Sequence, residues 1–339
     1  MRITALVKSA DDVCCRYRVS AFRPFFEAAG HRLELYPCPS AWFGGVRLPR
    51  DLRRSDAILI HRKLLSTSQI GQLRRLAPWL IYDVDDAVFV RDSYASRGPY
   101  SERRLRGFVR MIKSADAVVV GNEFLRDQAA LWAPPERIRI IRTSLAPERY
   151  SMAGHAARRN GLQLVWIGSA STLPGLKRIT PLLEQIGRRF PGLALKLICD
   201  RALNLQHLAV LVRPWSAATE TAELAAADIG IGWLPDDTWS HGKCGLKVLQ
   251  YMAAGLPVVA NPVGVQARLV HHGETGFLAE TPAQWLAAID RLTGDAELRR
   301  RMGAAGRRRV DETYHVRHAA AQWLNLLEEL GAPAQAVRR

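Results

Sequence analysis

Gly242-Lys243-Cys244-Gly245-Leu246-Lys247-Val248-Leu249-Gln250-Tyr251-Met252-Ala253-Ala254-Gly255-Leu256-Pro257-Val258-Val259-Ala260 is the stretch whose reading decides the fold. Its glycines open a turn, and the run from Leu246 has the apolar spacing of a helix. Gly255-Leu256-Pro257 ends that helix, and Val258–Ala260 reads as a buried strand. A turn, a helix and a β-branched strand in that order are part of a parallel βαβ unit. At the helix start, free backbone N–H groups and the helix dipole suit a phosphate. Lys243 and Lys247 flank that start, and the Gln250 amide, a turn further on, can hold a ribose or sugar hydroxyl.

The same alternation runs outward in both directions. Strand candidates are Ile3–Val7, Ala57–His61, Leu80–Asp83, Ala117–Val120 and Arg137–Ile141. A second series follows at Leu162–Ile167, Ala194–Cys199, Val210–Val212, Ile229–Trp233 and Val258–Ala260. Amphipathic segments separate them, as in parallel sheets covered by helices. A closed barrel would alternate in the same way, but the polar segment Ala153–Gly161 reads as a hinge between two halves. The expected fold is therefore α/β, with two doubly wound Rossmann-like domains at 1–158 and 159–312. A C-terminal helix at 313–331 follows, available to cross back to the first domain, and residues 334–339 fray.

The chain has 339 residues, 48% hydrophobic and 24% charged, which excludes a disordered or fibrous protein. The formal charge is +16, of which +12 falls in residues 1–160. Such asymmetry calls for an anionic partner of the first half. Cys14, Cys15, Cys38, Cys199 and Cys244 form no CxxC pair or zinc spacing, so a reducing cytoplasm and incidental thiols are expected. No 18-residue apolar run is present, so no membrane span is expected.

The segment 242–260 resembles the donor-binding helix of GT-B glycosyltransferases, in the large retaining class called glycosyl transferases group 1. Gly245-Leu246 matches the central Gly-Leu of that family, and Met252–Ala260 matches its close. Gly242 and Gln250 stand where the family has two glutamates, as in a subset reading Lys-Cys-Gly-x-Lys followed by Gln-Tyr-Met. The resemblance implies two domains facing across a cleft, with a nucleoside-diphosphate sugar bound mainly by the second. Val165-Trp166-Ile167-Gly168-Ser169 through Thr172 is similar to the first strand and glycine turn of the family's donor domain. Ser169 and Pro174 stand where an Arg and a Lys are usual. The resemblance thus leaves diphosphate charge to the lysines, with Lys243 the first candidate for stabilising the leaving group. Gly168, Ser169, Thr172, Gly245, Leu246, Lys247 and Gln250 are the other donor candidates. Trp215, in Val212-Arg213-Pro214-Trp215, is either a surface for the base or a packing aromatic. No metal or other cofactor is expected.

In the first half, Leu80-Ile81-Tyr82-Asp83-Val84-Asp85-Asp86-Ala87 brings three carboxylates to the C-terminal edge of a strand, where parallel sheets bind ligands. Asp83-x-Asp85 is similar to the metal-binding pair of the other glycosyltransferase fold. It is also similar to the nucleophile motif of haloacid-dehalogenase-type phosphatases. In the GT-B frame the loop instead falls where a polar group touches the transferred sugar, which makes Asp85 and Asp86 catalytic candidates. Helix capping by Asp83 or Asp86 is the plain alternative. His61 and Asn122 occupy similar strand edges. Arg16 and Arg18 can bind an acceptor or donor phosphate, or can pair with the nearby acids.

Ser101–Lys113 is a basic amphipathic helix with Arg103, Arg106, Arg110 and Lys113 along one side. Together with Arg47, Arg50, Arg53, Arg54 and Arg97 it suits an anionic membrane surface. No aromatic-interleaved platform points to nucleic acid. The expected function is sugar transfer from a nucleotide sugar to an anionic or lipid-linked acceptor, at the inner face of the membrane. A non-catalytic sugar-nucleotide-binding protein of the same fold, and a phosphatase using Asp83 and Asp85, are the competing readings.

Overall fold

A computed structural model describes residues 1–38, 54–155 and 161–331. Part of the Ala153–Gly161 hinge, the arginines at 47, 50 and 53, and the 334–339 tail lie outside them. The chain forms two compact units. Residues 1–144, 241–244 and 316–339 make the first, and residues 145–240 and 245–315 the second.

The first unit holds a six-stranded sheet of β1 (Arg2–Val7), β2 (Arg32–Pro37), β3 (Ala57–His61), β4 (Trp79–Val84), β5 (Ala117–Val120) and β6 (Ile138–Ile140). Their order is β2-β1-β3-β4-β5-β6, and each pairing is parallel. β3 and β5 are buried along their whole length, as expected of strands covered on both faces. Leu6, Ile58, Ile60, Leu80, Tyr82, Val118 and Val120 form the core with Phe89, Phe108 and Ile112 of the covering segments. The C-terminal helix Val316–Gly331 belongs to this unit, where Trp323 meets the rings of Phe22 and Phe26 at 6.1 and 6.4 Å.

The second unit holds β7 (Gln163–Ile167), β8 (Ala194–Ile198), β9 (Ala209–Arg213), β10 (Ile229–Gly232), β11 (Val258–Ala260) and β12 (Gly276–Leu278). All pairings are again parallel, in the order β12-β11-β10-β7-β8-β9. Numbered within this unit, that is the 3-2-1-4-5-6 order of a dinucleotide-type fold, whose strand order reverses beside β7. In the first unit the reversal lies between β1 and β3. Ligands of such sheets bind beyond the carboxyl ends of the strands at these switch points.

Each sheet has six strands where the sequence suggested about five. β2 was missed because Arg32 and Glu34 break its apolar run, which an edge strand tolerates. β12 was missed because it opens on Gly276 and carries no β-branched residue, so it lacks the strand signal that the equally short β11 has.

Candidate functional site

In the first unit, the β3–β4 register sets His61 directly against Asp83 at the carboxyl edge of the sheet. Arg62 follows with φ of +58°, a left-handed backbone that costs a non-glycine residue energy. Its N–H donates to the Asp83 carbonyl at 2.9 Å, which holds the turn. Three carboxylates here meet two arginines, a lysine and a histidine. Arg18 is completely buried and forks onto both oxygens of Asp83, while its Nη1 donates to the Ile141 carbonyl at 2.5 Å. His61 Nδ1 also bonds Asp83 Oδ2, at 2.8 Å. Arg62 donates to Asp85 and lies 3.5 Å from Asp86 Oδ2, which takes Lys243 Nζ at 2.8 Å.

Burial works against charge at Asp85, but the Arg62 guanidinium, aided by His61 and Arg18, outweighs it and holds the carboxyl below the usual range. Burial likewise opposes the Arg18 and Arg62 charges, and Asp83 and Asp85 respectively overcome it. Cys14 is pushed up to about 12 by burial, against the pull of Arg62. Burial raises the Cys244 thiol as well. Neither thiol is a thiolate nucleophile at neutral pH.

His61, Asp83 and Asp85 present ligand atoms within 4.8 Å of one another, the spacing of a metal site. The donor set argues against a cation there. Both Asp83 oxygens and one Asp85 oxygen are engaged by guanidinium groups or His61, and two fixed positive charges stand beside them. For the same reason Asp83, with no exposed surface, offers no open oxygen for a phosphatase-type attack.

The segment His241–Cys244 belongs to this same unit. Asn122 caps the helix Glu123–Ala130 by accepting the Leu125 N–H at 2.9 Å. Its amide donates to the carbonyls of His241 and Lys243 at 3.1 and 3.0 Å, and Cys244 Sγ lies 3.3 Å from the Asp85 carbonyl. A Cβ on Gly242 would fall 2.5 Å from the Ala87 backbone nitrogen, so this approach leaves no room for a glutamate there.

Several expected site residues are therefore placed differently from the sequence reading. Arg18 takes the second of its two expected roles, pairing with an acid, His61 is sealed into the same buried network, and Asn122 serves as a buried cap and clasp. Arg16 lies half-buried with its guanidinium 5.4 Å from the Tyr17 ring. Lys243, the first candidate for the leaving group, is the partner of Asp86. Asp85 is nearly buried, and Asp86 is the most open of the three carboxylates. Sequence reasoning missed Arg62; an arginine directly after a strand-end histidine, facing an acidic strand end, was the available signal.

In the second unit, β7 leads into the turn Gly168–Thr172. Helix Leu246–Ala253 starts after Gly245, which adopts φ of +73°. Lys247, in its first turn, donates to Thr172 Oγ1 at 3.3 Å and stands 4.3 Å from the centroid of the Trp166 ring. Tyr251 Oη accepts the Ile167 N–H at 3.0 Å and so ties this helix to the end of β7. Leu246 is half-buried at the helix start, and Gln250 is buried further along. Ser169 is exposed and bonds Ser171 through their hydroxyls. Trp215 is held through its Nε1, which donates to the buried Glu220 at 2.9 Å.

On the helix Glu102–Ser114, Arg103, Arg106 and Lys113 are exposed. Arg110 departs from the expected stripe: it is half-buried and donates to the Leu65 carbonyl at 2.9 Å. Lys113 Nζ lies 5.4 Å from the Trp132 ring, which is 40% exposed beside Leu131 at 67%. No helix among the described residues is long and apolar enough to cross a membrane.

Residues 238–309 match the family described as glycosyl transferases group 1. The chain is 26% identical to a D-inositol 3-phosphate glycosyltransferase of Paenarthrobacter aurescens, over 76% of this chain and 69% of that one. It is 32% identical to the enzyme of the same name from Pseudarthrobacter chlorophenolicus, over 42% of this chain and 33% of that one. Among solved structures, sucrose-phosphate synthase from Thermosynechococcus elongatus superposes with a TM-score of 0.74 at 16% identity, covering 97% and 99% of the two chains. Anabaena HepE, solved with UDP and glucose, gives 0.71 at 16% identity, covering 97% and 100%.

Proposed function

We propose that this chain, a glycosyltransferase with a group 1 domain on the GT-B fold, moves a sugar from a nucleoside-diphosphate donor to an anionic acceptor, lipid-linked or otherwise part of a glycoconjugate. The observation that carries this reading is the helix Leu246–Ala253 inside the matched region. Its first turn sets a lysine beside the turn that leaves β7, at the switch point of the sheet. Negative charge grows on the diphosphate as the glycosyl bond breaks, and a partly desolvated ammonium stabilises it. Lys247 takes that role, with Thr172 and the Gly168 turn around the phosphates, Gln250 for a ribose hydroxyl and Trp215 for the base. Anabaena HepE was solved with UDP, which supports a nucleotide donor.

The first unit meets the acceptor. Asp86, gripped by Lys243 and Arg62, is the carboxylate open enough to orient a hydroxyl, and Asp85 beneath it stays ionised. Transfer is retaining and metal-independent, with the lysine ammonium supplying the charge that a metal ion would otherwise bring to the diphosphate. Arg103, Arg106 and Lys113, with Leu131 and Trp132 beside them, suit contact with an anionic bilayer at the cytoplasmic face of the membrane.

Calorimetric titration with UDP, GDP, ADP and dTDP tests the donor reading. One of them is expected to bind, and failure of all four overturns it. A phosphatase would release phosphate from p-nitrophenyl phosphate with magnesium and lose this in Asp83→Asn; no release is expected. Co-sedimentation with phosphatidylglycerol vesicles tests the membrane reading. Binding is expected to fall at least fivefold in Arg103→Glu/Arg106→Glu, and an unchanged fraction overturns it.

A further inference from the structure

The turn after β7 has no charge of its own to offer a diphosphate. Ser169 N–H already bonds Thr172 Oγ1 at 3.2 Å, and Ala170 N–H bonds the Asp200 carboxylate at 3.2 Å. Two backbone donors that a phosphate would use are thus engaged, and Asp200 adds a negative charge nearby. Positive charge has to be brought to the turn, and Lys247 reaches it through Thr172.

A lysine on a flexible four-carbon stem is a poor fixed charge unless something holds it. Here the indole of Trp166 does so, with the ammonium 4.3 Å from its centroid. A tryptophan face is the strongest of the aromatic attractors for a cation. Trp166 is itself buried, 3% exposed and packed in the core of the second unit with Leu164, Leu173 and Leu195. The ring also needs room: a Cβ on Gly168 would lie 2.3 Å from Trp166 Cη2 and 2.8 Å from Thr172 Oγ1.

We propose that Trp166 is a positioning residue for the donor, fixing the Lys247 ammonium against the Gly168–Thr172 turn so that the site reads the terminal phosphate of a nucleoside diphosphate. The inference rests on the donor reading above. An ammonium ordered before the ligand arrives loses little freedom on binding, so its attraction shows fully in affinity. Trp166 therefore touches neither base nor sugar, and acts only through the lysine.

The test is the ratio of affinities for a nucleoside diphosphate and its own monophosphate, measured calorimetrically with UDP/UMP, GDP/GMP, ADP/AMP and dTDP/dTMP. The parent protein is expected to favour the diphosphate at least tenfold for the base it accepts. Lys247→Met, on a half-buried side chain, weakens the diphosphate by more than the monophosphate and so abolishes that preference. Trp166→Leu removes most of the preference, and Trp166→Phe, which keeps a ring, retains part of it. Trp166→Phe and Lys247→Met keep the test decisive if Trp166→Leu fails to fold. Equal weakening of both nucleotides by the Trp166 variants marks a purely structural ring and overturns the proposal. An unchanged ratio in Lys247→Met overturns it too. If the parent binds none of the diphosphates, the donor reading itself falls, and the inference with it.

Discussion

Replacing Arg18 with methionine is the most informative single change in the first unit. The side chain has no exposed surface, and it satisfies both oxygens of Asp83, which is equally buried. It also donates to the Ile141 carbonyl just beyond β6. Methionine fills much of the volume but leaves Asp83 with only His61 to answer its charge. Removing one partner of a buried pair costs about 3–5 kcal/mol, because the other charge stays desolvated. For a unit of this size, 1 kcal/mol moves the midpoint by about 2–4 °C, so Arg18→Met should melt about 6–20 °C lower. Scanning calorimetry at neutral pH measures it. Asp83→Asn in the Arg18→Met background should recover part of the loss, since the orphaned charge is gone. Melting within about 2 °C of the parent, or losses in the double variant that simply add, refutes the reasoning.

Other consequences follow from the same geometry. Asp85 is held below its unfolded value of about 3.9, so it contributes stability above that pH and loses it as the pH falls further. Arg62→Met should flatten this acid-side loss in melting curves taken between about pH 5 and 2, and an unchanged slope would exclude the pairing. Gly242→Ala forces a Cβ against the Ala87 backbone and should cost about 1–3 kcal/mol in urea unfolding; no loss would mean the loop shifts freely. Cys14 and Cys244, both half-buried, should react with a disulfide reagent at pH 8 far more slowly in the native than in the unfolded chain, since their surroundings keep the thiols protonated, and rapid native labelling would contradict this. Trp323→Ala should destabilise the first unit by about 3–5 kcal/mol by emptying the space against Phe22 and Phe26, read from its melting midpoint.

The two strand series were legible because strands buried on both faces write themselves as near-continuous aliphatic runs, as β5 and β3 up to Ile60 do. β2 was not, because an edge strand is free to carry Arg32 and Glu34. The glycine turn, the helix start and Lys247 could be read from residues that follow one another in order. The partners of the site could not. Lys243 and Asp86 are 157 positions apart, and Arg18 and Asp83 are 65 apart. A charged residue's sequence neighbourhood says nothing about which distant charge will neutralise it. That is why the role of Arg18 stayed open between a phosphate and an acid, why His61 read as an edge residue and proves interior, and why Lys243 stood ahead of Lys247 for the leaving group. The chain passes from the first unit to the second between Cys244 and Gly245, and the two lysines fall on either side of that point.

The central claim is that this chain breaks the bond between a sugar and a nucleoside diphosphate using Lys247. Release of the diphosphate from UDP-, GDP-, ADP- and dTDP-sugars, followed by chromatography with and without membrane extract as acceptor source, tests it most directly. One donor should yield diphosphate, faster with the extract, and Lys247→Ala should slow release by about 100-fold, the scale of losing one charged group at a developing anion. Release from none of the donors, or full activity in Lys247→Ala, would contradict the account.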